Sequence, residues 1–116
     1  MHELSVTDDI LTIVLKHARR ERAVAVHRIL LVVSELSDLK SFWLQRYFTE
    51  LARDTVAAPA RLEVETRAPE FTCSACGASF ALSLRGVERV SCTSCGSRDC
   101  TLVSAPEYLV EEIEVS

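Results

Sequence analysis

Two cysteine pairs are the residues of this chain whose spacing most clearly indicates metal chemistry. Cys73 and Cys76 form one C-x-x-C sequence, Cys92 and Cys95 form another, and fifteen residues separate them. This spacing is typical of a zinc ribbon. Two tight turns of this kind present four thiolates, the soft tetrahedral set that Zn(II) takes at about 2.3 Å. A four-thiolate site leaves no open position for a substrate, so we expect a structural zinc.

Two other functions use the same kind of sequence. A thiol oxidoreductase would use Cys73 and Cys76 as a redox pair, although a redox C-x-x-C usually occurs once, at the start of a helix. A zinc-ribbon adaptor in transcription or translation would contact phosphate through Arg85 and Arg89. The net charge of −4 disfavours a general nucleic-acid binder. We therefore expect no nucleic-acid partner, and we interpret Cys100 as a small apolar side chain rather than a ligand.

The first three residues form a second candidate metal site. The α-amine of Met1, the amide nitrogen and imidazole of His2, and the amide nitrogen of Glu3 can close fused chelate rings around one ion. A planar all-nitrogen set suits Ni(II) or Cu(II) and does not suit tetrahedral zinc. We expect the bulky second residue to protect Met1 from removal. Because the amine and amides must lose protons to bind, the metal affinity is expected to fall with pH.

Hydrophobic periodicity predicts the elements that position these residues. Apolar residues at helical spacing predict a first helix from about Thr7 to Arg22, and a second helix from near Asp38 that ends at Ala57-Ala58-Pro59. Runs of β-branched or alternating residues predict strands at residues 27–33, 61–66 and 109–115.

The strand before Pro69 and the strand after Pro106 are expected to lie in one sheet, with the cysteine-rich segment inserted between them. We therefore predict an α/β fold, a small sandwich of two helices on a three-stranded mixed sheet with an inserted zinc-ribbon module. The α/β domain would comprise residues 1–69 and 106–116, and the zinc-ribbon domain residues 70–105.

Composition narrows the functional class. The 116 residues are 48% hydrophobic and 26% charged, which is typical of a globular chain. No apolar run approaches the roughly 20 residues of a membrane span, and Met1–Leu4 lacks the features of a signal peptide, so we expect a cytoplasmic protein without a membrane partner. The sequence contains no catalytic triad and no glycine-rich phosphate loop. We therefore expect a metal-binding and transfer protein rather than an enzyme, either a monomer or a homodimer.

The opening Met1-His2-Glu3-Leu4-Ser5 together with the paired knuckles at 73–76 and 92–95 resembles the hydrogenase nickel-incorporation proteins of the HypA/HybF family, over the whole chain. The resemblance implies a nickel metallochaperone that serves the large subunit of [NiFe]-hydrogenase, acts with a GTPase partner and in some bacteria also feeds urease through its accessory protein. It further implies that His2 is the essential nickel ligand, that Met1 and Glu3 supply backbone nitrogens, and that Cys73, Cys76, Cys92 and Cys95 hold structural zinc. The family fold is a small α/β nickel domain with an inserted zinc domain.

Overall fold

The computed structural model describes residues 2–116; Met1, one of the predicted nickel ligands, lies outside the described residues. Within that range the chain forms two helices and six strands. In chain order they are α1 (His2–Arg20), β1 (Val26–Ser34), α2 (Ser41–Leu51), β2 (Arg61–Arg67), β3 (Glu70–Cys73), β4 (Ser79–Ala81), β5 (Cys100–Leu102) and β6 (Tyr108–Val115).

The described chain divides into two compact units. The first unit contains the chain up to Val33 together with Asp38–Glu65 and Tyr108–Ser116, and the second contains Ser34–Ser37 and Thr66–Glu107. Neither helix within residues 2–116 is both long and apolar enough to cross a membrane.

The first unit is an α/β sandwich built on a three-stranded sheet with the order β2-β1-β6. β1 and β6 are antiparallel, with Ile29 opposite Ile113. The predicted return of the chain to one sheet on either side of the cysteine-rich segment is therefore confirmed. Apolar residues of α1, α2 and β1 meet in one core, whose fully buried members include Ile10, Ile29 and Phe48.

The first helix begins earlier than the sequence predicts. Its expected start near Thr7 is wrong, because α1 already includes His2. The hydroxyls of Ser5 and Thr7 do not cap a helix end: they donate to the carbonyl oxygens of His2 and Glu3 at 3.1 and 2.5 Å. Such backward hydrogen bonds occur inside helices, where they compete with capping. The residues of the candidate nickel site that the structure describes therefore have helical geometry.

The second unit contains a three-stranded antiparallel sheet with the order β4-β3-β5. Phe71 of β3 lies opposite Phe80 of β4, and their rings stack with centroids 5.8 Å apart. The strands are only three or four residues long. An apolar core this small contributes little folding free energy by itself.

Candidate metal centres

The two C-x-x-C sequences form turns with the same backbone pattern. The amides of Gly77 and Gly96 donate to the carbonyl oxygens of Cys73 and Cys92, at 2.8 and 2.9 Å. Both glycines have φ near +75°, at 75° and 78°, a conformation that side chains rarely adopt. Glycine at this place is therefore what allows the chain to turn directly after the second cysteine of each pair.

A second backbone hydrogen bond closes each turn. The amide of Cys73 donates to the carbonyl of Ala78 at 2.9 Å, and the amide of Cys92 donates to the carbonyl of Ser97 at 2.8 Å. The first cysteine of each pair is buried, whereas the second, Cys76 or Cys95, is exposed. Each turn thus presents one inner and one outer thiol.

The four thiols converge on one point. Their sulfur atoms all lie within 4.8 Å of one another. The Sγ atoms of Cys73 and Cys95 are 3.6 Å apart, as are those of Cys76 and Cys92. A tetrahedron with metal–sulfur bonds of about 2.3 Å has edges of roughly 3.8 Å. Both the separations and the all-sulfur donor set therefore fit Zn(II).

The four thiols differ in pKa because backbone N–H groups of the turns donate hydrogen bonds to them unequally. Backbone N–H donors, first that of Cys95 and then that of Ser94, lower the pKa of Cys92 to about 6. The backbone N–H of Cys76 is the main cause that lowers the pKa of Cys73. The Ala78 N–H also acts to lower the pKa of Cys76, but the neighbouring Cys92 sulfur and burial outweigh it and raise that pKa to about 12.

This difference has a simple electrostatic origin. Two thiolates that share one site disfavour the ionisation of the remaining thiols, since like charges repel at such short separations. The pKa of Cys95 is raised for the same reason. The Ser97 N–H acts to lower this pKa, but the Cys73 sulfur and burial outweigh that effect. A divalent cation at the centre would allow all four sulfurs to be thiolates.

Cys100 lies beside this cluster without belonging to it. It is the residue of β5 that pairs with Cys73 of β3, and its thiol donates to the carbonyl of Ser97 at 3.5 Å. Burial raises the pKa of Cys100. The sequence prediction placed no strand here, because three residues are too few to show a periodicity.

The second candidate site is the start of α1. The His2 side chain is 48% exposed, and its Nε2 lies 3.9 Å from a carboxylate oxygen of Asp38, a residue that the sequence prediction used only as a helix start. The Glu3 carboxylate accepts a hydrogen bond from the backbone amide of Lys40 at 3.3 Å. His2 and Glu3 thus adjoin the segment that leads into α2.

The other two histidines lie in other parts of the chain. His17 is in the last turn of α1. The imidazole Nε2 of His27 lies 2.7 Å from the Ser116 hydroxyl.

Comparison with known proteins places the chain in a family. A family model described as hydrogenase/urease nickel incorporation, metallochaperone, matches residues 1–115. A hydrogenase maturation factor HypA from Dehalococcoides mccartyi is 31% identical over 115 residues, which are 99% of this chain and 94% of that protein. A second HypA, from Alkalilimnicola ehrlichii, is 32% identical and is covered over 99% of both chains.

Solved structures share the fold. The solution structure of the nickel metallochaperone HypA from Helicobacter pylori has a TM-score of 0.69 at 19% identity, over 97% of this chain and 96% of that chain. A second HypA solution structure has a TM-score of 0.75 at 20% identity, over 100% and 97% of the two chains. Because the family model matches residues 1–115, this chain belongs to the HypA family of hydrogenase and urease nickel-incorporation metallochaperones.

Proposed function

We propose that this protein binds Ni(II) through the nitrogens of Met1, His2 and Glu3 and delivers it to the large subunit of [NiFe]-hydrogenase during maturation. The observation that carries the proposal is the start of α1 at His2. The first amides of a helix have no intrahelical acceptor. The amide nitrogens of His2 and Glu3 can therefore lose their protons and bind a metal without breaking the hydrogen bonds of the helix.

The surroundings of His2 and Glu3 support the imidazole of His2 and the backbone nitrogen of Glu3 as the donors. The His2 side chain is half exposed, so a metal can reach its imidazole from solvent. The Glu3 carboxylate is held by the Lys40 amide, which favours the backbone nitrogen of Glu3 rather than its side chain as the donor. A planar set of nitrogens suits Ni(II).

We also propose that Cys73, Cys76, Cys92 and Cys95 hold one structural Zn(II). The convergence of the four sulfur atoms within 4.8 Å supports this assignment. Zinc would tie the two turns together and supply the folding free energy that the small sheet lacks. Residues 70–105 would then act as a zinc-ribbon domain inserted into a nickel domain of residues 1–69 and 106–116.

The proposed setting is the cytoplasm, where the chain acts as a monomer or homodimer. A GTPase partner of nickel insertion would assist release of the metal, and urease, through its accessory protein, is a further recipient. The family description, which names both hydrogenase and urease, supports these two enzymes as recipients.

Nickel titration of the untagged protein tests the proposal. Wild type is expected to bind about one nickel, with the visible absorption of a planar Ni(II) complex, and to retain about one zinc after dialysis. His2→Ala, or one glycine added before Met1, removes an imidazole or displaces the amine and is expected to abolish the nickel spectrum. Zinc content and thermal unfolding are expected to stay unchanged.

His27→Ala is the matched control, because His27 is also an exposed histidine and its imidazole contacts the hydroxyl of Ser116. It is expected to bind nickel as wild type does. Nickel binding that survives both changes at the terminus, or that His27→Ala removes, would refute the proposed site.

A further inference from the structure

The exposed side of α2 carries an aromatic cluster that the unit's own core does not use. Phe42 is 63% exposed and Trp43 is 40% exposed. Their rings meet edge to face at 5.2 Å, and Trp43 stacks on Tyr47 at 5.6 Å. The core side of the same helix is supplied by Leu44 and Phe48, both fully buried. Adjacent exposed aromatic rings are typical of interaction sites.

Cationic side chains border this cluster. Lys40 immediately precedes α2, and Arg46 lies one turn after Phe42, so that residues 42, 43, 46 and 47 share one helix face. Lys40 and Arg46 are exposed, and within residues 2–116 neither side chain forms an ion pair. Glu50, the acidic residue of α2, forms an ion pair with Arg53 at 2.7 Å. In a chain of net charge −4, this face of α2 therefore presents two unpaired cations beside its aromatic rings.

The cluster also lies next to the candidate nickel site within the same unit. Asp38 and Lys40, the residues that lead into α2, contact the side chains of His2 and Glu3. A protein that covers Phe42 and Trp43 is consequently placed within a few residues of the proposed metal ligands. A metal that passes between two proteins by ligand exchange needs the two sites to be adjacent.

We infer that the protein that receives nickel docks on the face formed by Lys40, Phe42, Trp43, Arg46 and Tyr47. It binds this face through an acidic surface that surrounds an apolar pocket. Trp, Tyr and Arg are the residue types that most often dominate binding free energies. The unpaired cations fit an acidic partner, since complementary charge accelerates and orients association. This inference rests on the proposed function.

The test measures binding of the untagged, nickel-loaded protein to the purified apo-precursor of the hydrogenase large subunit. Phe42→Ser with Trp43→Ser is expected to raise Kd by at least about tenfold. Val24→Ser is the matched control, because Val24 is 78% exposed but lies outside α2, and it is expected to leave Kd unchanged. Nickel content of each variant is measured first and is expected to equal that of wild type.

A charge-reversed pair provides a second and independent measurement. Lys40→Glu with Arg46→Glu is expected to slow association about tenfold at low salt and to lose most of its effect at high salt. Arg19→Glu with Arg20→Glu makes the same change in charge at the other end of α1 and is expected to have little effect.

Several results would overturn the inference. These are an unchanged Kd for both α2 variants or equal losses in the controls. Wild-type self-association that the α2 variants abolish would assign the face to a second copy, and binding to anionic phospholipid vesicles would assign it to a membrane. A wild-type protein that binds no nickel, or that does not bind the precursor, would instead refute the proposed function, which separates the two failures.

Discussion

The backbone amide of Lys40 donates a hydrogen bond to the carboxylate of Glu3 at 3.3 Å, and so ties the first turn of α1 to the residue that precedes α2. The side chain of Glu3 therefore has a structural partner, whereas the proposed nickel donor is its backbone nitrogen. Substitutions of Glu3 can separate these two roles.

Glu3→Ala is expected to lower the free energy of unfolding by about 0.5–1 kcal/mol. The Lys40 amide loses its carboxylate acceptor and can then donate only to water, at a partly exposed site. It is expected to keep the nickel stoichiometry of wild type, since every residue supplies an amide nitrogen. Glu3→Gln, which retains an oxygen acceptor, is expected to show a smaller loss of stability. Loss of nickel in both variants would identify the carboxylate itself as a ligand.

The features that depend on local chemistry could be predicted from the sequence. The strands at residues 26–34, 61–67 and 108–115 and the helical character of α1 and α2 follow from hydrophobic spacing. The resemblance to nickel-incorporation proteins is confirmed by the family match, and with it the expectation of a metallochaperone rather than an enzyme. The nickel and zinc ligand assignments stay predictions.

Other features could not be predicted because they depend on alternatives that only the fold decides. Ser5 and Thr7 are good caps, yet their hydroxyls can equally donate backward, as they do in α1. The pairing of Cys100 with Cys73 depends on the register of two very short strands. The contact of Lys40 with Glu3 joins residues 37 positions apart, and no local pattern encodes it.

Zinc removal is expected to unfold the cysteine-rich unit selectively. Cys92→Ser replaces a buried thiol whose pKa the turn lowers to about 6, so it removes one of the two candidate ligands that ionise most readily. Structural zinc is worth about 10–16 kcal/mol in zinc-finger peptides, far more than a small sheet can replace. Zinc content, measured by mass spectrometry after treatment with a chelator, is expected to fall from about one per chain to near zero.

Cys100→Ser is the control for this substitution. Because Cys100 lies beside the cluster and hydrogen-bonds to the Ser97 carbonyl, a serine hydroxyl can take its place and zinc is expected to stay. Limited proteolysis is expected to cleave the Cys92→Ser variant within residues 66–107 while the first unit stays resistant. Equal zinc loss in the two variants would instead make Cys100 a ligand.

The end of α1 offers a stabilising substitution. The amide of Ala23 donates to the Ala18 carbonyl at 2.9 Å and that of Arg22 to the Arg19 carbonyl at 3.2 Å, the hydrogen-bond pair of a Schellman motif. Arg22 consequently has a φ of 54°, where a side chain is strained and glycine is preferred. Arg22→Gly is expected to raise the free energy of unfolding by about 0.5–1 kcal/mol, or a few degrees in Tm.

Arg19→Gly makes the same chemical change inside the helix and serves as its control. It is expected to destabilise the protein by about 1 kcal/mol, because glycine loses more backbone entropy in a helix than arginine does. Circular dichroism during denaturation measures both variants. Destabilisation by Arg22→Gly would mean that contacts of the arginine side chain outweigh its backbone strain.

The sheet of the first unit has an ionic bridge across all three of its strands. Arg28 on the central strand donates through Nε to Glu63 of β2 at 2.8 Å and through Nη1 to Glu112 of β6 at 3.1 Å. These two hydrogen bonds, that of Glu63 first, raise the pKa of Arg28, which stays charged at all pH values relevant to folding. Arg28→Met is expected to lower the stability modestly at low salt, because it removes both hydrogen bonds at a site that solvent partly screens.

Salt dependence distinguishes this ionic contribution from packing. Raising the ionic strength from about 0.01 to 1 M shortens the Debye length from about 30 to 3 Å, so the stability difference between wild type and Arg28→Met is expected to shrink. Glu63→Gln and Glu112→Gln are each expected to give part of the loss, and a double-mutant cycle with Arg28→Met measures each coupling. A difference that is independent of salt, with no measurable coupling to either glutamate, would assign the role of Arg28 to the packing of its aliphatic stem on the sheet.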